Sequence, residues 1–539
     1  MLRNRTYYTP LVLGVILLAA VGLKAVLLAV NAFPFNADEA IVALMARHIL
    51  QGSKPIFFYG QAYMGSLDAY LVAAFFAVLG QQVWVIRLVQ TILYLLTIIS
   101  TYWIGQTIFN SRISGFIAAG LIAIPPVNTT LYTTVSLGGY GEALLIGNLL
   151  ILLTWKLVNN SQTDKGWIFN VGLIGWGFLA GVGLWANGLT LIYSLPAGII
   201  LTATLIRKVN TKRLLAFFGL LTAGLFLGSL PWWLYAIENG FQALIGELLG
   251  VAVAVEQGSL LERVGGHTLN YFLFGIPAAL GFRPPWDVKW LAVPLLPFVF
   301  LVWVGVLVGW VGMVVSEPKS RLGIWLITGV GIVFSLGFLF TSFGVDPSGR
   351  YFVPLSVMFA ISAGVVLERW ISRNTRWIFV AVLIVGFQLW GNIQTGLERP
   401  PGLTTQFYAP ARIDMTQMPD LITFLESENI QHGYTNYWVA YPLAFLTQEE
   451  IILAPRLPYH PDLRYTDRDD RYPAYTQLTR QSARIAYITT HNSNLDERIT
   501  AGFTAAGVAW REKSIGDFNI FYDLSRNMQP EDLNIYLAK

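Results

Sequence analysis

The chain has 539 residues, 55% of them hydrophobic and only 12% charged, with a mean hydropathy of +0.56. Soluble domains carry about 25% charged residues, so this composition points to an integral membrane protein. Cysteine is absent, which excludes disulfides and thiolate metal sites, and a net charge of +4 over this length gives no reason to expect nucleic-acid binding.

Apolar runs of spanning length recur at about 11–30, 83–109, 112–127, 139–158, 167–186, 188–206, 214–236, 290–315, 322–343, 351–370 and 377–395. They predict roughly eleven transmembrane helices. The first run follows Arg3 and Arg5 and is long enough to span, so it reads as a membrane helix rather than a signal peptide. A further run at 66–80 contains Asp68, is too short to span comfortably, and reads as interfacial or re-entrant.

The distribution of Lys and Arg supports that reading. With Arg3 and Arg5 in the cytoplasm and 66–80 not spanning, the cytoplasmic turns are 110–112, 156–165, 207–213, 319–321 and 369–376, and each carries Lys or Arg. A spanning 66–80 segment would put all of them outside. The expected protein is therefore a multi-pass protein of a bacterial inner or plasma membrane, with a cytoplasmic N-terminus and an external C-terminal region. Outside lie 32–82, 128–142, 238–289, 341–350 and the region after about 395. These loops collect Asp38, Glu39, Lys54, Glu142, Glu256, Glu262, Arg263, His267, Arg283, Asp346 and Arg350. Acid, base and cation candidates thus gather on one face.

After about residue 396 the long apolar runs stop, and 18 of the 31 acidic residues follow. An amphipathic helix is expected at 420–428 and another at 495–505, with strands at 450–454, 483–489 and 518–522. The predicted organisation is a transmembrane domain over 1–395, with first external loop 32–82, and a small external α/β domain over 396–539.

The stretch Asn36-Ala37-Asp38-Glu39-Ala40 places two carboxylates where the chain leaves the first membrane helix. Acids also favour the positive end of a helix dipole, so a purely structural helix start reads equally well from these residues alone. Glu142 follows the glycine-rich Ser136-Leu-Gly-Gly-Tyr-Gly and enters a membrane helix, where an ionisable group is costly. Asp346-Pro-Ser-Gly-Arg350-Tyr351 precedes another helix, and a guanidinium suits phosphate recognition, although an Arg snorkelling at a helix end looks the same. Arg283 and Lys54 are weaker cations of the same kind. His267 reads as a proton carrier, a phosphate partner or neither, and His48 as simply packed. Asp38, Glu39 and Glu142 offer oxygen ligands that Mg or Mn could use, but their spacing does not demand a metal.

Asp38-Glu39-Ala40…Ala43…Ala46-Arg47…Gly52 resembles the first external loop of GT-C glycosyltransferases, nearest to the branch of protein O-mannosyltransferases and lipid A aminoarabinose transferases. The stretch 80–93, with Arg87 at a helix start, resembles the segment after that loop, and Arg350-Tyr351-Phe-Val-Pro354 resembles an Arg-Tyr…Pro element opening a late helix. The resemblance covers about 10–395. It implies an α-helical polytopic GT-C-like transferase that moves a sugar, with inversion, from a polyprenyl-phosphate donor to a lipid, glycan or protein hydroxyl at the outer face. It further implies Asp38 or Glu39 as the base, with Glu142 as the second external acid where the family often shows an Asp. Lys54, Arg283 and Arg350 would meet the donor phosphate, and Tyr59, His267 and Tyr351 the substrates. No cofactor is required by this reading, and the partners are donor, acceptor and membrane lipids. Two other readings compete. One is a lipid-linked-sugar transporter, disfavoured because the helices carry few polar groups at mid-depth. The other is a membrane scaffold whose external domain binds through a face containing Tyr434, Trp438 and Tyr441.

Overall fold

The computed structural model describes residues 8–160, 166–249, 258–316 and 321–536. Arg3, Arg5, Lys165, Glu256 and Lys319, used above to sort the loops, lie outside the described residues. The chain divides into two compact units. Met1–Val30, Gln61–Asp68 and Ile86–Leu397 form the first; Asn31–Gly60, Ala69–Val85 and Glu398–Lys539 form the second. The last change of unit falls between Leu397 and Glu398. Most of the segment 32–82, expected as the first external loop, groups with the C-terminal segment, where Asp38, Arg47 and His48 find partners.

Among the described residues, ten helices are long and apolar enough to cross a membrane, from Thr9–Ala29 to Thr375–Leu397. The expected eleventh, at 112–127, is helical only over the 12 residues Arg112–Ala123. Pro125 and Pro126 cannot continue that helix, and a short second one, Val127–Tyr132, starts after them. The 66–80 run forms the 13-residue helix Leu67–Leu79, short of a span as its length predicts. In the first unit, the helices Trp167–Ala186 and Thr211–Gly228 touch backbone to backbone. A Cβ on Gly177 would stand 2.2 Å from the Leu221 carbonyl oxygen, which is the close approach small residues permit between membrane helices. The segment 128–142, expected as an external loop, is buried throughout. Its threonines make this tolerable: Thr133 and Thr134 hydroxyls donate to carbonyls four residues back, at 2.7 and 2.6 Å.

The second unit contains a five-stranded sheet. Its strands are β1 (His432–Thr435), β2 (Ile452–Pro455), β3 (Ala486–Thr490), β4 (Arg511–Ile515) and β5 (Phe518–Tyr522), in the order β2-β1-β3-β5-β4. β1 runs parallel to β2 and β3, whereas β5 pairs antiparallel with β3 and β4. Helices Tyr437–Leu446, Pro473–Gln481 and Ser493–Ala505 connect successive strands. Apolar residues pack on both faces: Leu421, Leu425, Leu443 and Ile488 on one, Tyr434, Tyr487, Ile499 and Phe503 on the other. Tyr434 and Tyr441 are 0% and 1% exposed, so they are core residues rather than the binding face considered above; only Trp438 of that trio is half-exposed. The loops after β1, β2 and β3 all leave from the carboxyl ends of parallel strands, with connections diverging on either side of β1 and β3. In open α/β sheets that crevice is where ligands bind.

Candidate active site

Asp38 occupies the first turn of helix Ala37–Leu50, which Asn36 caps by accepting from the Glu39 N–H at 3.3 Å. Its carboxylate is half-buried and accepts two hydroxyls, Tyr437 on Oδ1 and Thr405 on Oδ2, both at 2.6 Å. Asn36 Nδ2 in turn donates to the Thr405 hydroxyl at 2.9 Å. Tyr437 begins the helix after β1, and Asn436, its N-cap, anchors that start by donating to Thr490 on β3 at 2.7 Å. Burial, and then the Asp38 charge, push the Tyr437 phenol well above its ordinary pKa, so it remains a donor. Glu39, one residue on and about 100° around the helix, is 0% exposed. Of the adjacent pair, only Asp38 presents a carboxylate toward open space.

Thr405 reaches Asp38 because Gly402 lies directly on the chain ahead of the helix. Leu403 N–H donates to Ala32 O at 2.7 Å. Gly402 has φ +65°, and a Cβ there would stand 2.3 Å from the same carbonyl oxygen. Gly402→Ala is expected to displace Thr405 from Asp38 and lower the unfolding temperature, which thermal unfolding checks.

The rest of the helix is held by a charge network. His48 bridges Tyr59 OH and Glu449 Oε1, each at 2.9 Å, instead of packing on an apolar face as expected from sequence. Tyr475 OH donates to the same oxygen at 2.7 Å, and Arg47 lies 3.6 Å from the other while donating to Gln81 at 2.7 Å and to Phe445 O at 3.1 Å. Burial raises the Glu449 pKa, but the bonds from His48 and Tyr475 and the charges of His48 and Arg47 more than offset it, leaving it below the usual value. Tyr59, expected to contact substrate, stacks on Tyr472 at 5.0 Å within this network. Glu449→Ala would leave Arg47, 4% exposed, without its counter-charge. The expected loss is about 3–5 kcal/mol of stability, read by denaturant unfolding, with Glu449→Gln intermediate.

A second acid, Asp469, was not found from sequence. It is 8% exposed, and its backbone carbonyl and the Arg471 N–H are both bonded to the Tyr441 hydroxyl, at 3.0 and 2.6 Å. Burial pushes its carboxyl up to about 7 against the pull of Arg471, and Asp38 adds to the rise. Arg471 packs over the Tyr437 ring at 5.6 Å and donates to Gly60 O at 3.2 Å.

The remaining expected residues belong to the first unit, apart from Lys54, which is exposed in the second. Arg350 ends a fixed turn: Ser348 N–H donates to Asp346 Oδ1 at 2.8 Å, Arg350 N–H to Ser348 Oγ at 3.2 Å, and Asn128 Nδ2 to Gly349 O at 2.8 Å. Its side chain is 31% exposed, pairs through Nε with Asp346 at 2.5 Å and lies over the Tyr351 ring at 4.8 Å. Tyr351 itself is 4% exposed, and among the described residues no group bonds its hydroxyl. Arg283 is committed elsewhere: it donates to the carbonyls of Asp287, Phe274, Pro347 and Pro285 at 2.9–3.2 Å. Those bonds make it a brace for backbone, and they leave it poorly suited to a phosphate. His267 is similarly built in, buried, with Nδ1 2.8 Å from Leu339 O. Glu142 is 3% exposed, and its nearest polar partner among the described residues is another acid. Its charged neighbour is Asp68, whose carboxylate accepts from Gln90 at 2.8 Å and from Ser136. Lys24, a charge inside the first membrane helix, is bound by Thr134 at 2.8 Å and by Thr133, over the Tyr94 ring at 4.8 Å. The lone Lys inside an apolar run was the signal that could have found it.

Among the described residues no three acid or histidine side chains come together as a metal site requires. Neither Mg nor Mn is therefore assigned ligands.

No family model matches the chain, and no curated protein matches it in sequence. Solved structures do. ArnT from Cupriavidus metallidurans, bound to undecaprenyl phosphate, superposes with TM-score 0.58 at 13% identity, covering 99% of this chain and 100% of ArnT. The Archaeoglobus fulgidus oligosaccharyltransferase AglB, in complex with an inhibitory peptide and a dolichol-phosphate, gives 0.53 at 12% identity, covering 97% and 75%. An Archaeoglobus fulgidus oligosaccharyltransferase in complex with Zn and sulfate gives 0.52 at 12%, covering 95% and 73%. The chain is thus a polytopic helical membrane protein with the GT-C fold of these transferases.

Proposed function

We propose that this protein transfers a sugar from a polyprenyl-phosphate donor to a hydroxyl acceptor at the outer face of the membrane, inverting the anomeric carbon. One observation carries the reading: in a chain with this fold, the half-buried Asp38 carboxylate is fixed by Tyr437 and Thr405 at the start of a helix. A carboxylate has about four lone-pair sites, so two bonds to hydroxyls orient it and leave capacity for an acceptor O–H. As the acceptor oxygen attacks the anomeric carbon, its proton passes to Asp38. The bond from that carbon to the phosphate oxygen breaks, and its electron pair leaves with polyprenyl phosphate. Proton abstraction of this kind contributes roughly 10²–10⁴ in rate.

Donor class is supported by the bound molecules of the similar structures, undecaprenyl phosphate in ArnT and a dolichol-phosphate in AglB. Arg350, preset by its turn in the first unit, is assigned to the donor phosphate, and the exposed Lys54 of the second unit is kept separately as a cation of the same chemistry. The basic turns read from sequence support the external placement of Asp38. The test is to give purified full-length protein a donor of known anomeric configuration and determine the product's configuration by NMR. Inversion is expected; retention would overturn the mechanism.

A further inference from the structure

The carboxyl-end crevice of the sheet carries more than Asp38. The loop after β1 supplies Tyr437 and Trp438, the loop after β2 supplies Tyr459, His460 and Asp469, and Asn492 after β3 donates to His460 O at 3.0 Å. Trp438, Tyr459 and His460 are half-exposed, and Tyr408 is 39% exposed. Their rings run in sequence: Tyr437 to Trp438 at 5.0 Å, Trp438 to Tyr459 at 6.2 Å, Tyr459 to His460 at 4.3 Å, His460 to Tyr408 at 4.8 Å. The tyrosines that merely fill this unit look different, Tyr434, Tyr441, Tyr475 and Tyr487 being 0–1% exposed. The row therefore combines accessible ring faces with a start at the residue that holds Asp38. Burial raises the Tyr459 phenol above its ordinary pKa, and the charges of Asp469 and Asp38 add to the rise.

We propose that this crevice is an acceptor site for a saccharide, with Trp438 and Tyr459 as stacking faces and Asp469 accepting from ring hydroxyls. A pyranose has an apolar C–H face and a polar rim, and this combination of aromatic faces and carboxylates matches both. Asp469 is the independent observation: it is 8% exposed, and burial outweighs the pull of Arg471 and pushes its carboxyl up to about 7. A carboxyl with so little access to water gains from the hydroxyls that a sugar rim supplies. His460, which burial and Arg464 lower to about 4, adds an uncharged ring at neutral pH. A lipid acyl chain would gain nothing from Asp469.

This inference deepens the transferase reading and rests on it for the part Asp38 plays, but binding can be tested alone. The full-length protein in detergent is titrated with maltopentaose and chitopentaose by saturation-transfer NMR, and with glycosyl-diacylglycerol micelles for the lipid-borne form. Binding of at least one probe is expected, weakened about tenfold or more by Trp438→Ala and by Asp469→Asn, each checked for unchanged unfolding temperature. In transfer assays the same variants should raise the acceptor KM by a larger factor than they lower kcat. Soluble against lipid-borne probes distinguish a free glycan from a glycolipid headgroup. Saccharide binding without any transfer would overturn the transferase reading and keep this one. No binding of any probe, affinity unchanged in both variants, or transfer only to a Ser/Thr peptide would overturn the inference.

Discussion

Asp38→Asn should reduce sugar transfer by about 10²–10⁴ in kcat with little change in acceptor KM. The substitution preserves size, but an amide cannot take the acceptor proton and offers only one oxygen to the two hydroxyls that now hold the carboxylate. Tyr437→Phe removes one of those holders and should cost about tenfold, since the proton acceptor remains but is less well aimed. Glu39→Gln is the control. Its side chain is wholly buried, so the change should show in protein yield and unfolding temperature, with kcat per folded molecule within about threefold of wild type. Wild-type kcat in Asp38→Asn, or a selective kcat loss in Glu39→Gln, would reassign the base.

Arg350→Lys should lower kcat by about 10²–10³ and weaken inhibition by added polyprenyl phosphate. The Arg350 side chain pairs with Asp346 at 2.5 Å and is partly exposed, and an ammonium keeps the charge but loses the planar fork. Product inhibition is the informative reading, because a merely structural Arg would not alter affinity for the leaving phosphate. Arg350→Ala is less useful: it strands Asp346, whose side chain is only 10% exposed, and would confound binding with folding. Asp346→Asn separates these, since it should loosen the turn while preserving the cation. An unchanged inhibition constant in Arg350→Lys would remove Arg350 from the donor site.

Much of the membrane architecture was legible because spanning helices are long and apolar, a signal that needs no partner to interpret. At 112–127 hydropathy continues past Ala123, whereas Pro125-Pro126 end the helix and leave it 12 residues long. In the C-terminal region, Phe518–Tyr522 and the helices near 420 and 495 appeared where periodicity put them. β4 was missed because Arg511-Glu-Lys-Ser-Ile515 is an exposed, charged edge strand with no apolar alternation. Helix Tyr437–Leu446 was missed too, its aromatic, Pro442-containing sequence masking the pattern. At the candidate site, the Asp38-Glu39 pair could be read but not resolved, since choosing between them depends on which faces open space. The partners of Asp38 lie 367 and 399 residues away, and no local pattern encodes such contacts. Arg283 and His267 misled for the converse reason: residue type suggested chemistry, while their hydrogen bonds tie them to backbone.

The central claim is tested most directly by incubating the purified full-length protein with a radiolabelled polyprenyl-phosphate sugar and measuring released polyprenyl phosphate together with label on the acceptor. The account predicts equal amounts of both from the wild type, and loss of both in Asp38→Asn at matched protein and matched unfolding temperature. Release and transfer in Asp38→Asn at the wild-type rate would contradict it.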